Sequence, residues 1–223
     1  SDKLRALKSS WTIALHEIDT NYHQECVILR ENMIPAPNKK PNVVLFCTDQ
    51  LRFDALSCTG NSVVDTPNID WIAQNGVSFT NHITPCQICA PSRASMFTGL
   101  YPRHHGLTRN GVALDPSHEH LTHVMMDNGV RTYGVGKFHF QPILASAAYG
   151  MPESNAFWSL PESEDWRGPF YGFQNVDFVI GESFTSTRGG HYGHWLERNH
   201  PGVDDLYLPE NGLDSELDEM DEV

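Results

Sequence analysis

The sequence has no long apolar segment and no cysteine framework. Residues 1–40 contain no apolar run as long as a signal peptide or a membrane span, because the segment Ile13-Ala14-Leu15 is followed at once by His16 and Glu17. The five cysteines are an odd number without the spacing of a disulfide scaffold. We therefore expect reduced thiols, no membrane association and a cytoplasmic location, although a processed secreted form would also lack a signal.

Basic residues are also scarce, since the formal net charge is −13. Residues 204–223 contain nine of the 28 acidic residues and neither Lys nor Arg, so they read as a solvated or disordered acidic tail. The rest of the chain is nearly balanced in charge, and no basic face points to nucleic acid as a partner. With 223 residues and 39% hydrophobic content, the chain can bury one good-sized core or form part of a larger one. The sequence does not indicate an oligomeric state.

The chain divides into three parts by composition. Apolar residues at helical spacing predict a helix over residues 3–33, and the Pro-rich segment 35–41 ends it as a linker. The predicted parts are a helical extension with its linker at 1–40, a main body at 41–203 and the acidic tail at 204–223.

Within the main body, strands alternate with helices. Apolar, β-branched runs predict strands at 42–48, 77–83 and 131–136, with a further strand at 176–180. Helices are predicted at 66–76, from Cys89 to Gly99, from a Ser117 cap to Gly129, and near 190–196. This alternation indicates an α/β fold with a mainly parallel sheet flanked by helices.

Asp49 and Gln50 follow the first predicted strand. The carboxyl ends of strands carry the ligands in open α/β sheets, so a carboxylate that emerges there is a site candidate. Two adjacent oxygen ligands suit a hard cation such as Ca²⁺, Mg²⁺ or Mn²⁺. The alternative is an Asp that caps the next helix.

Cys89 stands at the start of a predicted helix, where unpaired backbone N–H groups create positive potential. Such a position suits a nucleophile or an anion. Alternatively, Cys89 is a small buried hydrophobe while Ser92 caps the helix and Arg93 is solvated. A redox pair with Cys86 lacks a thioredoxin-like context, and no second Cys pair follows at a spacing suited to zinc.

Lys137 and His139 follow the strand predicted at 131–136. Strand alternation would place both side chains on one side, at the same sheet edge as Asp49. A phosphate-binding P-loop is rejected, because Arg131 occupies the position of its first Gly and Phe138 replaces its Ser or Thr.

Four motifs in order resemble the type I sulfatases, which are formylglycine-dependent members of the alkaline phosphatase superfamily. They are Asp-Gln after the first strand, Thr-Pro-Asn-Ile-Asp with Gly-Val-Ser-Phe-Thr-Asn, Cys-x-Pro-Ser-Arg with Thr-Gly, and Gly-Lys-x-His, and they span residues 42 to about 140. The resemblance implies an alkaline-phosphatase-like sandwich and makes 41–203 the N-terminal part of a sulfatase domain. Family members are considerably longer, so we expect a fold and an active site that are incomplete at the C-terminus.

The resemblance also implies roles for individual residues. A maturing enzyme would oxidise Cys89 to formylglycine, whose hydrate attacks the sulfur of a sulfate ester. Asp49, Gln50 and residue 89 would bind a divalent metal, with Ca²⁺ the first choice and Mg²⁺ or Mn²⁺ the others. Arg93 and Lys137 would offset the charge on the sulfuryl oxygens, and His139 would assist deprotonation.

Asn110 and several histidines leave alternatives open. Asn110 matches either an active-site Asn or a turn residue before Gly111, and His191 either contacts the substrate or packs through hydrogen bonds. His105 is expected to pack or to form hydrogen bonds. His118, His120 and His123 are predicted on a solvated helix face, because Thr122 breaks the zinc motif His-Glu-x-x-His.

Three functions therefore stay open. The first is a sulfuric ester hydrolase that acts on small-molecule sulfate esters. The second is a phosphonate monoester or phosphodiester hydrolase of the same superfamily, which Asp49, Gln50 and Asp54 favour. The third is a catalytically incomplete fragment or interaction module, which would bind a divalent cation only weakly through its few protein ligands.

Overall fold

The computed structural model describes residues 41–181 and 189–202. The chain separates into two units, Ser1–Thr48 and Asp49–Val223. The predicted helix at 3–33, most of the linker and the acidic tail lie outside the described residues. In the described part of the chain, no helix is both long and apolar enough to cross a membrane.

In the first unit, residues 41–48 form neither helix nor strand. The strand prediction for 42–48 is wrong here, since Val44 is 72% exposed and Phe46 is 85% exposed. The prediction for 77–83 is wrong for the same reason, because Val77 and Ile83 are exposed and unpaired as strand residues. An apolar parallel strand needs hydrogen-bonded neighbours and covered faces, and the described residues supply neither for these two segments.

The second unit begins with short 3₁₀ turns at Phe53–Ala55 and Ser57–Thr59, followed by helix α1 at Pro67–Asn75. The prediction for this helix is confirmed, with Pro at its first position and Gly76 at its end. The Asp70 carboxylate accepts hydrogen bonds from the Ser57 hydroxyl and the Cys58 N–H, at 2.7 and 2.9 Å. These bonds tie α1 to the turn that precedes it.

Helix α2 spans Cys89–Thr98, as its motif predicts, and the short helix α3 spans Pro102–His105. Gly99 ends α2 in the left-handed conformation (φ 71°), where its N–H bonds the Ser95 carbonyl. Ser92 lies inside α2 and does not cap it, because the helix already begins at Cys89.

Helix α4 spans Leu121–Asp127 and begins three residues later than expected from a Ser117 cap. The N–H of His120, the residue before the helix, donates to the His123 ring at 3.4 Å and so fixes the start of the helix. His120 is buried and stacks on Tyr171, so the prediction of a solvated histidine face is wrong at this position. Burial lowers the pKa of His120 to about 4.

Strand β1 spans Tyr133–Gly136 and β2 spans Asn175–Phe178, and the two pair in parallel, with Tyr133 opposite Asn175 and Gly136 opposite Phe178. Along the chain, β1 and β2 are separated by helix α5 (Asn155–Trp158) and two 3₁₀ turns (Ala147–Tyr149 and Pro161–Ser163). Helix α6 (Gly190–Asn199) follows β2 and packs on it. The parallel pairing and the helices around it confirm the α/β class.

The core is mainly aromatic and lies against the two strands. It contains phenylalanines at 138, 140, 157, 170, 173 and 178, together with Trp158 and smaller apolar residues. Phe138 packs edge-to-face on Phe173 and Phe178 with ring centroids 4.9 and 5.3 Å apart. Gly134 makes room for the Phe138 ring, since a Cβ at position 134 would lie 2.3 Å from its Cζ atom. The segment that follows β1 is thereby anchored in the core at Phe138 and Phe140.

Candidate active site

Cys89 is the first residue of α2 and is partly exposed. Its Sγ lies 3.4 Å from the Asn110 side-chain nitrogen and 3.5 Å from the Asn110 side-chain oxygen, which also accepts the Ala90 N–H at 3.3 Å. Asn110 lies in a turn before Gly111, whose φ is 82°. The turn reading is therefore confirmed, and the turn brings the Asn110 side chain against the start of α2. An active-site role for Asn110 stays a prediction.

Arg93 stands one helical turn after Cys89, so both side chains lie on the same side of α2. Its guanidinium is almost buried and donates a hydrogen bond to the carbonyl of Lys137. A guanidinium nitrogen also lies 4.0 Å from the Asp49 carboxylate. Helix α2 thus joins the cysteine to the segment that follows β1.

Lys137 and Asp49 form an ion pair, with the ammonium nitrogen 3.0 Å from a carboxylate oxygen. The Lys137 side chain is only 11% exposed, whereas that of Asp49 is 41% exposed. Partial burial raises the pKa of Asp49, but the hydrogen bond from Lys137 and the positive charges of Lys137, Arg93 and His139 outweigh it, so the pKa lies below its usual value. Asp49 is therefore a carboxylate held between two cations.

His139 is buried and has φ 62°, in the left-handed region that non-glycine residues seldom occupy. Strand β1 ends at Gly136, so alternation along a strand does not place Lys137 and His139 on one side, contrary to the expectation. His139 nevertheless lies close enough to Asp49 for its charge to contribute to the lowered pKa of that carboxyl.

Gln50 follows Asp49, is exposed and also has positive φ, at 48°. Two of the three non-glycine residues with positive φ in the described chain, Gln50 and His139, are thus predicted site residues. Such backbone conformations concentrate at functional sites. The third residue, Tyr171, lies beside the aromatic core.

Glu153 is a buried residue that the sequence analysis missed. It is 5% exposed, and its carboxylate accepts the backbone N–H groups of His139, Phe140 and Gln141. Burial raises the pKa of Glu153 to about 7, and the three N–H donors and the charge of Arg93 oppose this rise. No local pattern in the sequence signals such a residue, because Glu is almost always exposed.

His105 and His191 are buried and form hydrogen bonds within the fold. His105 is buried, and its ring bonds the Ser95 hydroxyl at 3.0 Å and the Leu107 N–H at 3.2 Å, which confirms the hydrogen-bonding prediction. His191 is buried as well. Its Nδ1 accepts the Phe178 N–H and its Nε2 lies 2.7 Å from the Trp166 carbonyl.

With both ring nitrogens bonded to backbone groups, His191 fits the packing role better than substrate contact. Burial lowers the pKa of its ring. The His194 ring also packs against the fold, since its Nε2 lies 3.2 Å from the Trp158 carbonyl.

The donor chemistry of Asp49 and Gln50 fits a hard divalent cation, since both residues offer oxygen ligands. They would supply only part of a shell, because Ca²⁺ takes six to eight oxygen ligands. Within the described ranges, no three His, Cys, Asp or Glu side chains come together in the manner of a metal site. These residues can therefore contribute to a metal site without completing one.

Comparison with known proteins gives a match to the sulfatase family model over residues 41–206. The N-acetylglucosamine-6-O-sulfatase of Bacteroides thetaiotaomicron is 28% identical over 133 residues, covering 60% of this chain and 22% of the relative. An ulvan-active sulfatase of Formosa agariphila is 34% identical over 142 residues, covering 62% and 28%. Arylsulfatase H of Canis lupus familiaris is 37% identical over 114 residues, covering 46% and 20%. The chain thus spans only 20–28% of the length of these relatives.

Among solved structures, the phosphonate monoester hydrolase of Agrobacterium radiobacter is 30% identical with a TM-score of 0.55, over 78% of this chain and 32% of that one. The structure of Ps i-CgsB is 22% identical with a TM-score of 0.51, over 77% and 36%. The second likeness concerns the fold alone. Both agree with the α/β architecture described above.

Proposed function

The chain belongs to the sulfatase family, and on that premise we propose that it forms part of a sulfuric ester hydrolase whose nucleophile is residue 89. The observation that carries this proposal is the convergence of Arg93 and Lys137 on Asp49, with Arg93 one helical turn after Cys89. The sulfatase relatives support sulfate esters as the substrate class.

The environment of Cys89 suits a modified nucleophile. Its side chain is partly exposed at the first position of a helix and faces Asn110, so a maturing enzyme can reach it. We propose that such an enzyme converts Cys89 to formylglycine. When present, this group supplies a hydroxyl nucleophile in place of a thiol.

Arg93 and Lys137 would bind the sulfuryl oxygens. Both cations are nearly buried, so their attraction for an anion is stronger than at a water-exposed surface. The carbonyl of Lys137 fixes the Arg93 guanidinium, so the two charges are oriented before a substrate arrives. Asn110 would donate its amide N–H toward the reacting group at residue 89.

Asp49 and Gln50 would hold a divalent cation together with residue 89, with Ca²⁺ as the first choice and Mg²⁺ or Mn²⁺ as the others. When bound, such a cation supplies Lewis-acid stabilisation of negative charge. His139 would assist deprotonation of the second hydroxyl at residue 89, and this deprotonation leads to the release of sulfate.

The test combines mass spectrometry with turnover of 4-nitrophenyl sulfate by the intact protein. The tryptic peptide that ends at Arg93 is expected to be about 18 Da lighter than its thiol form, as conversion of an activated Cys to an aldehyde requires. Cys89→Ala should reduce turnover to background, while the control Cys58→Ala, in an exposed turn, should leave it unchanged. An unmodified peptide together with wild-type turnover in Cys89→Ala would contradict the proposal.

A phosphonate monoester hydrolase is the second candidate, because the Agrobacterium radiobacter enzyme is structurally similar and the Asp-Gln pair is compatible with it. Asp54, which the sequence associates with this branch, forms an exposed ion pair with Arg52. Comparing kcat/KM for 4-nitrophenyl sulfate and 4-nitrophenyl phenylphosphonate separates the two. A preference for the phosphonate ester would favour the second candidate, and turnover of neither ester would favour a non-catalytic module.

A further inference from the structure

Glu153 lies between the turn Ala147–Tyr149 and helix α5, next to Ser154, whose hydroxyl accepts the Phe157 N–H at the start of that helix. The Glu153 side chain is buried, and it takes part in none of the ion pairs within the described part of the chain. A buried carboxylate must be hydrogen-bonded, so its partners indicate its role.

Those partners are three consecutive backbone N–H groups. One carboxylate oxygen accepts the N–H of His139, and the other accepts those of Phe140 and Gln141 at 2.6 and 2.9 Å. The Gln141 side-chain oxygen accepts the Glu153 N–H in return, at 3.3 Å. Residues 139–141 belong to neither helix nor strand, so these bonds replace the ladder bonds that the segment lacks.

The same segment is fixed from its other side by Arg93, which donates to the Lys137 carbonyl. His139, between the two contacts, has the unfavourable left-handed backbone conformation described above. Such a conformation persists only where the surroundings enforce it. Glu153 bonds the N–H of His139 itself, so it acts at the strained residue.

We propose that Glu153 is a positioning residue, which holds residues 139–141 in the conformation that directs His139 into the active site. It touches no reacting atom. Its effect on turnover rests on the proposed function, whereas its effect on the backbone of the segment does not.

The first measurement is amide hydrogen exchange in the wild-type intact protein. The N–H groups of residues 139–141 should exchange slowly, like those of β2, although they lie outside regular structure. Exchange at the rate of exposed loop amides would overturn the proposal without any variant.

The second measurement uses Glu153→Gln, which keeps the volume but turns an acceptor oxygen into an N–H₂ donor that cannot bond an N–H group. Exchange at residues 139–141 should rise about tenfold or more while β2 keeps its protection, because only local opening changes. With 4-nitrophenyl sulfate, kcat should fall about tenfold or more and KM should change little, since the binding cations stay in place. The control Glu162→Gln, at an exposed position, should change neither quantity.

An even rise of exchange across the protein would assign Glu153 a general structural role and overturn the proposal, as would unchanged exchange in Glu153→Gln. Should that variant not fold, Glu153→Asp is measured instead, because it keeps the charge and shortens the reach by one methylene. It should give intermediate exchange at residues 139–141 and a reduced kcat. If the wild-type protein turns over no sulfate ester, the proposed function fails while the exchange measurements still decide the role of Glu153.

Discussion

The two sides of the candidate site differ in how firmly the fold holds them. On one side, the Arg93 and Lys137 side chains are each 11% exposed, and His139 is buried. On the other side, the Asp49 side chain is 41% exposed, and Gln50 lies on the surface. The first side is bonded to helix α2, to the core and to Glu153, whereas the described contacts of the second side are those of Asp49 with the two cations.

This difference separates a preorganised part from an adaptable one. Burying a cation is unfavourable unless it is paired, and Asp49 provides the counter-charge for both Arg93 and Lys137. Because the Asp49 side chain is 41% exposed, we propose that its carboxylate can also help to bind a metal ion while it pairs with the two cations. We infer that the fold sets the anion-binding side in advance and that ligands complete the other side.

Replacing Arg93, on the preorganised side, should give the largest loss of activity. Arg93→Ala removes both the charge beside Asp49 and the hydrogen bond to the Lys137 carbonyl, so kcat/KM for 4-nitrophenyl sulfate should fall about 10²–10³-fold. Steady-state kinetics on the intact protein measure this loss.

Arg93→Lys is the matched variant, since it keeps a positive charge but lacks the planar fork that reaches two partners at once. It should recover only part of the lost activity. Full activity in Arg93→Lys would mean that charge alone matters, and full activity in Arg93→Ala would remove Arg93 from the site.

A substitution at Gly134 tests how much the packing of the core stabilises the side of the site that contains Lys137 and His139. Gly134→Ala places a Cβ 2.3 Å from the Phe138 ring, so the ring and the segment after β1 must move. Overpacking of this kind should lower the free energy of unfolding by about 1–3 kcal/mol, as urea denaturation would measure. Val135→Ala on the same strand is the control, because Val135 is 72% exposed and its truncation should change stability by less than about 0.5 kcal/mol. Equal effects of the two substitutions would contradict this account of the packing.

Local signals in the sequence predicted the helices well. Pro at the first position and Gly after the last residue marked α1, and Gly99 marked the end of α2, because caps depend on residues next to one another in the chain. The start of α4 was misplaced, since His120 and His123 form a less common cap than Ser117 would have formed. Where helix ends depend on side chains of unusual type, sequence patterns lose their accuracy.

Contacts between distant parts of the chain were harder to predict. The order of the motifs indicated that Asp49 and Lys137 share a site, and the structure places them in contact across 88 positions. Glu153 carries no comparable signal, because its role depends on burial and on backbone N–H groups that only the fold brings together. The strands predicted at 42–48 and 77–83 failed for a related reason, since composition indicates a strand but cannot supply its hydrogen-bonded neighbour.

The smallest expected effect concerns Lys137 and the charge state of Asp49. Lys137→Met keeps the length of the side chain and removes its charge and hydrogen bond, so the pKa of Asp49 should rise toward its ordinary value of 3.8. In the wild-type protein the lowered pKa stabilises the folded state above about pH 4, and this contribution is lost as the pH falls through the folded-state pKa. The variant should therefore lose less stability on acidification than the wild-type protein.

NMR titration of the Asp49 carboxyl measures the shift of its pKa directly, with Lys137→Arg as the variant that keeps the charge. An unchanged pKa in Lys137→Met would mean that Arg93 and His139 hold Asp49 ionised without Lys137. Arg93 and Lys137 would then not act as the pair that the buried side of the site requires.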